Sequence, residues 1–233
     1  HLTDQKISTT KQLISFVLKY LLKGTLFGAV WWVSSDVALM LFILYSAWHF
    51  GQADFKEWNL KQGWRSFLWG TVLLSAILFF HAEELIGILT QIPNLAIVQL
   101  IYEIPDGGLL LIQILTVLSG LALARLNRSI NLLFTLIYLL MASQLSLLMA
   151  FGIYFVLQHS LNGWKHLSAG LEKNSSVMLK NALPFTIGGA GIIIYFLLFA
   201  NENHIGLFFI ILSCLSLPHA LSMHHFYQPS SSK

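Results

Sequence analysis

The sequence predicts an all-α protein, a polytopic transmembrane helix bundle of about seven to eight spans. Hydrophobic residues make up 56% of the chain and charged residues only 10%, and the mean hydropathy is +0.72. Soluble domains carry about 25% charged residues, so this chain lies outside their range. Its apolar residues also form stretches that approach the roughly 20 residues needed to cross a bilayer as a helix.

Eight apolar stretches follow one another along the chain and correspond to the predicted spans. The fifth and sixth stretches are short. We expect them to pack as a tight hairpin around Ala142, Ser143 and Gln144, or as bent helices buried in the bundle. In chain order, the stretches cover about 11–33, 36–51, 64–82, 107–125, 129–142, 145–160, 180–200 and 204–221.

The composition indicates a single integral-membrane domain over residues 1–233. No Gly/Ser-rich linker, charge block or obvious repeat marks a second domain, and nothing indicates a nucleic acid partner. The one cysteine, Cys214, excludes a disulfide framework and a thiolate metal cluster. The first residues, HLTDQKISTTK, lack the apolar core of a signal peptide.

Positive charge predicts the orientation of the bundle. Lys and Arg residues flank one side of the predicted spans, whereas the loops on the other side carry acidic residues. By the positive-inside rule both termini are cytoplasmic. The basic residues on the inner side are Lys6, Lys11, Lys56, Lys61, Arg65, Arg125, Arg128, Lys165, Lys173, Lys180 and Lys233. The acidic residues on the outer side are Glu83, Glu84, Glu103, Asp106 and Glu202.

Three histidines stand near the ends of three different apolar stretches: His49 in SAWHFGQAD, His159 in VLQHSLNGWKH and His219 in SLPHALSMHH. The second, sixth and eighth spans all run inward, so the three imidazoles converge near the cytoplasmic side. A histidine has little reason to lie at membrane depth unless it binds a metal or cofactor or relays protons. We therefore predict that these three histidines form one functional centre.

The other histidines have different interpretations. His81 and His204 fall on the outer side and are expected at the interface or in loops. His166 lies seven residues after His159 and on the same helix face. Along a straight helix the two residues are separated by a rise of about 10.5 Å, which is too long for both to bind one ion. A bend at Gly163 would bring His166 closer to His159. We treat His166 as a candidate fourth ligand, with a supporting or surface position as the alternative.

Histidine-rich membrane sites belong to several classes of protein. Imidazole suits Fe, Cu, Zn or Ni, and the scarcity of nearby carboxylates favours an all-histidine metal site over a carboxylate-bridged di-iron site. A membrane cytochrome would instead place two histidines on either side of a haem. A transporter or a ligand-binding scaffold without enzymatic activity is also open, since histidines relay protons.

The segments WHFGQAD, QHS and LPHAL, in this order, resemble the bacteriorhodopsin-related protein family (Brp and its homologues, Blh), and HAEEL at 81–85 is similar to a further family segment. Members of that family are membrane-embedded beta-carotene 15,15'-dioxygenases. The resemblance covers most of the chain, and a carotenoid-binding or transport protein without enzymatic activity is the alternative within it. The resemblance implies O₂-dependent cleavage of the central double bond of beta-carotene into two retinals at non-haem Fe(II), and retinal is a product that can pass to a rhodopsin.

The resemblance also implies roles for individual residues. His49, His159 and His219 would be catalytic and hold the Fe(II). Beta-carotene dissolves in the lipid bilayer, so a site open sideways to lipid suits it. The aromatic residues nearest the histidines in sequence would line that passage, unless they serve packing or lipid contact: Trp48, Phe50, Phe155 and Trp164.

Asp54, five residues after His49, would orient a ligand histidine through its second ring nitrogen, with an exposed loop position as the alternative.

The chain departs from the family pattern at two places. Family members carry His-Gly followed by Asp on an initial helix, whereas this chain opens with His1-Leu2-Thr3-Asp4. We expect that it begins just after that motif and so lacks one helix and one ligand upstream of His1. Members also often place a second histidine four residues after the one in QHS, and that position here is Gly163. His166 is the candidate to replace it.

Overall fold

The computed structural model of the chain describes residues 10–171 and 204–227, a few side chains excepted, and single positions between these ranges. Every regular element in the described part is helical, as the sequence predicts. The predicted span at about 180–200 lies almost wholly outside it.

The helices follow one another with short connections. A serine caps the N-terminus of three helices. The side chains of Ser34, Ser129 and Ser146 each accept a hydrogen bond from a backbone N–H of the first turn. The helices are α1 (Thr10–Val33), α2 (Ser35–Glu57), α3 (Trp64–Phe79), α4 (Ala82–Leu89), α5 (Ile97–Tyr102), α6 (Asp106–Asn127), α7 (Ile130–Ala142), α8 (Leu147–Ile153), a π-helical segment (Tyr154–Ser160), α9 (Leu161–Leu171) and α10 (His204–Tyr227).

Several element boundaries differ from the sequence prediction. A turn joins α7 to α8 at the predicted hairpin position, but the sixth stretch is divided into α8 and the π segment. The region after α3, predicted as a loop, contains α4 and α5. The second stretch does not end near residue 51 but continues to Glu57. Its polar residues stay helical because neighbouring helices bury them, Gln52 and Asp54 among them.

Two described helices are long and apolar enough to cross a membrane, Ile14–Val33 and Asp106–Asn127. Helices α3 and α4 would form a third span if the pair, bent by 85°, is one broken span. The described residues thus give two to three candidate spans, fewer than the sequence prediction of seven to eight. One reason is that α7 has only 13 residues.

Helix α2 is the central element, because it contacts α1, α3, α9, α10 and the π segment. It approaches α3 most closely at two glycines. A Cβ atom on Gly51 would overlap the carbonyl oxygen of Ser66, and one on Gly70 would overlap the carbonyl oxygen of Ala47. The two backbones are therefore in direct contact, and this contact fixes the part of α2 that carries His49.

Candidate metal centre

The structure brings His49, His159 and His219 together from α2, the π segment and α10. Each contributes one ring nitrogen to a group whose members all lie within 4.8 Å of one another. The ring centroid of His49 is 5.0 Å from that of His159 and 5.5 Å from that of His219. His49 and His159 are buried, and His219 is exposed. Two of the three candidate ligands are thus enclosed by the protein, and the third lies at the surface.

This arrangement fits a transition metal ion. Metal–nitrogen bonds of about 2.0–2.1 Å allow two ligand nitrogens to be about 4.2 Å apart at most, so small side-chain rotations suffice. Nδ1 of His159 is buried and has no hydrogen-bond partner among the described residues. Leaving such an atom unsatisfied costs about 1–3 kcal/mol, which a bound ion would offset. An all-imidazole donor set suits iron, zinc, copper or nickel.

His159 occupies an unusual stretch of backbone, since Tyr154–Ser160 is π-helical. π-Helical turns are rare, and they occur frequently at functional sites because they change the direction of side chains within a helix. Two side chains of the segment, Tyr154 and Gln158, donate hydrogen bonds to Asp54 of α2. The segment is thereby attached to the helix that carries His49.

His219 follows a proline inside α10. Pro218 is fully buried and has no N–H to donate to the carbonyl of Cys214, which weakens the helix at that turn. Side chains of α1 and α2 hold the same turn through three hydrogen bonds. Tyr45 Oη donates to the carbonyl of Ser213 (2.8 Å), Tyr20 Oη to that of Leu215 (2.9 Å), and Trp31 Nε1 to the hydroxyl of Ser213 (2.8 Å).

Tyr45→Phe is expected to loosen α10 and to lower the free energy of unfolding by about 0.5–1.5 kcal/mol, the usual contribution of one hydrogen bond. Thermal unfolding in detergent measures the change. The control is Tyr102→Phe, because Tyr102 is largely exposed on α5. Equal melting temperatures for Tyr45→Phe and Tyr102→Phe would show that the hydroxyl of Tyr45 does not support α10.

Two of the four aromatic residues predicted to line a substrate passage contact the centre. Phe50 is buried, and its ring lies edge-on to His159 at 4.9 Å between centroids. Phe155 is 40% exposed and stacks on His159 at 5.4 Å and 29°. Trp48 and Trp164 are half-buried.

Phe151, which the sequence interpretation missed, stacks on Phe155 at 5.7 Å. Phe151, Phe155 and His159 are spaced by four residues, and that helical spacing was the available signal.

Asp54 is neither in a loop nor exposed. It lies within α2, is 1% exposed, and its Oδ2 accepts hydrogen bonds from Trp69, Tyr154 and Gln158. Its hydrogen bonds within the described residues do not go to a histidine ring. The direct orientation of a ligand histidine by Asp54 therefore stays a prediction.

The remaining histidines are placed differently. His81 is buried between α3 and α4, with Nδ1 2.7 Å from the carbonyl oxygen of Ile77 and Nε2 3.2 Å from that of Ala142. It therefore bridges backbone groups away from the three-histidine centre. The backbone of His166 belongs to α9, but its side chain lies outside the described residues, as do the side chains of His204, His224 and His225.

Comparison with known proteins identifies similar sequences. A family model described as beta-carotene 15,15'-dioxygenase matches residues 1–227. A protein named beta-carotene 15,15'-dioxygenase from an uncultured marine bacterium, 66A03, is 30% identical over 250 residues, which cover 97% of this chain and 86% of the relative. No solved structure matches the chain significantly.

Proposed function

Since the chain belongs to the beta-carotene 15,15'-dioxygenase family, we propose that it is an integral membrane enzyme that cleaves the central double bond of beta-carotene with O₂. In this reaction the C=C bond is broken, and each of its two carbons receives one oxygen atom of O₂. The products are two retinals, and no further reductant is needed. The observation that carries the proposal is the convergence of three histidines from three helices on one centre.

The metal that we propose for the centre is Fe(II), held by His49, His159 and His219. When bound, the iron would supply the activation of O₂, which does not react readily with a C=C bond by itself. Neutral imidazoles hold the ion without cancelling its charge, and three of them leave coordination positions open. Burial of His49 and His159 keeps water from the inner side of the site. Exposure of His219 leaves one side accessible.

The aromatic residues beside His159 suit a long hydrocarbon. The buried ring of Phe50 lies edge-on to the imidazole of His159. The partly exposed ring of Phe155 stacks on the same imidazole, and Phe151 stacks on Phe155. Apolar rings of this kind provide contact area for a polyene, and by positioning it they would determine which double bond lies beside the three histidines. We propose Trp48 and Trp164 as two further substrate contacts.

The exposed apolar surface supports a location in the bilayer. Leu18, Leu22 and Leu26 follow one another at four-residue spacing along α1, and each exposes more than half of its side chain. In lipid such a stripe is solvated by acyl chains, whereas in water it would be a large exposed patch. We propose a multi-pass bundle in the bacterial inner membrane with both termini cytoplasmic. The charge pattern along the sequence supports this orientation.

Expression in cells that make beta-carotene tests the proposed reaction. We expect the cells to lose their orange colour and to accumulate retinal, about two molecules for each beta-carotene consumed, as measured by chromatography. The matched control is His159→Ala at the same level of membrane-inserted protein, which should leave the carotene intact. Retention of beta-carotene in cells whose membranes contain the folded wild-type protein and iron would refute the proposal.

A further inference from the structure

A polar cluster centred on Asp54 lies beside the three histidines. Its Oδ2 accepts hydrogen bonds from Trp69 Nε1 of α3 (2.9 Å), from Gln158 Nε2 (3.0 Å) and from Tyr154 Oη (3.3 Å). Thr135 Oγ1 of α7 donates to the Oε1 atom of Gln158 (3.1 Å). The cluster therefore joins α2, α3, α7 and the π segment around a single carboxylate.

The carboxylate is costly to bury. Asp54 is 1% exposed, and a buried acid persists only where hydrogen bonds replace the lost water. Here the three donors converge on Oδ2, while Oδ1 has no hydrogen-bond partner among the described residues. Separating a buried charge from its hydrogen-bond donors is strongly unfavourable, so the carboxylate holds the donating groups in place.

The donors are placed where they control the direction of His159. Tyr154 is the first residue of the π segment and Gln158 directly precedes His159. On α2, Asp54 and His49 are five residues apart, so their side chains leave the helix about 140° apart. Asp54 therefore acts on the π segment from one face of α2, while His49 meets His159 from another.

We propose that Asp54 is a positioning residue that maintains the π-helical register of Tyr154–Ser160 and thereby directs His159 toward His49 and His219. The inference rests on the proposed metal centre, because the register matters only if the three imidazoles share an ion. A π-helical run of seven residues is unusual. Without hydrogen bonds to both Tyr154 and Gln158, the segment would relax and rotate His159 away from its neighbours.

Binding of Co(II), a visible probe of imidazole coordination, tests the proposal on the full chain in detergent. We expect the wild type to bind one Co(II) with a defined visible absorption spectrum. Asp54→Asn, which keeps the volume but removes the charge, should change that spectrum and weaken binding about 10–100-fold, as for other residues that orient metal ligands. If Asp54→Asn does not fold, Gln158→Met removes a single donor and carries the same expectation.

The matched control is Asp36→Asn on the same helix. Asp36 Oδ1 accepts a hydrogen bond from the backbone N–H of Ile97 (2.8 Å), far along α2 from the centre. Its loss can lower stability, but the Co(II) spectrum and affinity should not change. A general effect of losing a carboxylate from α2 is thereby separated from an effect on the metal site.

The double variant Asp54→Asn with Gln158→Glu tests whether the hydrogen-bonded pair itself carries the effect. The amide and the carboxylate exchange places, so one donor, one acceptor and one negative charge remain between α2 and the π segment. We expect the Co(II) spectrum to return toward that of the wild type. Wild-type Co(II) affinity and spectrum in Asp54→Asn would overturn the positioning role alone. A wild type that binds no Co(II) would overturn the metal centre and, with it, the positioning role.

Discussion

Alanine at any one of positions 49, 159 and 219 is expected to abolish retinal production while the protein still inserts into the membrane. His49, His159 and His219 supply the three ring nitrogens of the centre, and removing one leaves an ion with two protein ligands. Loss of a residue that merely supports a ligand lowers metal affinity about 10–100-fold, so loss of a ligand should reduce activity by at least about 100-fold. Retinal formed per folded molecule and bound iron measure the effect together.

Histidines away from the centre serve as controls. His204→Ala should retain both iron and activity. His81→Ala removes an imidazole that bridges the carbonyls of Ile77 and Ala142, so it should lower the amount of folded protein but not the activity of each folded molecule. Wild-type turnover in His49→Ala would remove His49 from the site, and the same result at His159 or His219 would remove that ligand.

Gly51→Ala is expected to cause the largest loss of stability. The added Cβ would overlap the carbonyl oxygen of Ser66, which belongs to α3 and cannot rotate away. Overpacked cores usually lose about 1–3 kcal/mol, and a clash with backbone places this substitution at or above the upper end, about 3 kcal/mol. Iron binding should fall as well, because α2 must shift where it carries His49. Thermal unfolding and bound iron in detergent give the two results.

Gly87→Ala is the matched control, since a Cβ on Gly87 of α4 meets nothing within 4 Å. Alanine reduces the conformational entropy of the unfolded chain, so that variant should be as stable as the wild type or slightly more stable, by about 0.4–1 kcal/mol. If Gly51→Ala melts at the same temperature as Gly87→Ala, the close contact between α2 and α3 is not present in the membrane.

The three histidines illustrate what the sequence alone predicts well. Their placement depends only on the order of the apolar stretches and on the direction in which each runs. No local histidine motif is needed, because one histidine from each of three helices at a similar depth is enough to form a centre. Hydrophobic periodicity and the distribution of Lys and Arg contain that information.

The features that the sequence did not predict depend on tertiary partners. Gly51, Gln52 and Asp54 form a polar run typical of a helix end, yet α2 continues through it and all three residues are buried. Gly51 lies against α3, and Asp54 accepts hydrogen bonds from α3 and from the π segment. The glycine serves close backbone contact and not a turn. A sequence shows no partner for Asp54, so the carboxylate could be placed in a loop. Trp69 and Gln158 give no local signal that they share one acceptor.

The π segment and the bend between α3 and α4 were not predicted, for related reasons. Periodicity distinguishes an apolar helix from a strand, but it does not distinguish an α-helix from a short π-helical run such as Tyr154–Ser160. An apolar stretch also predicts helix without fixing whether that helix is straight. The bend of 85° between α3 and α4 was not predicted either, because α4 begins where the predicted third span ends.

Titration of Fe(II) into the metal-depleted protein in lipid bilayers containing beta-carotene tests the central claim most directly. We predict that retinal production under O₂ rises with added Fe(II) until one equivalent per chain is bound, and that each beta-carotene consumed yields two retinals. The His159→Ala protein should show no such rise. Retinal production that is complete before any Fe(II) is added, or that is the same in His159→Ala, would contradict the assignment of the three-histidine centre as the site of carotene cleavage.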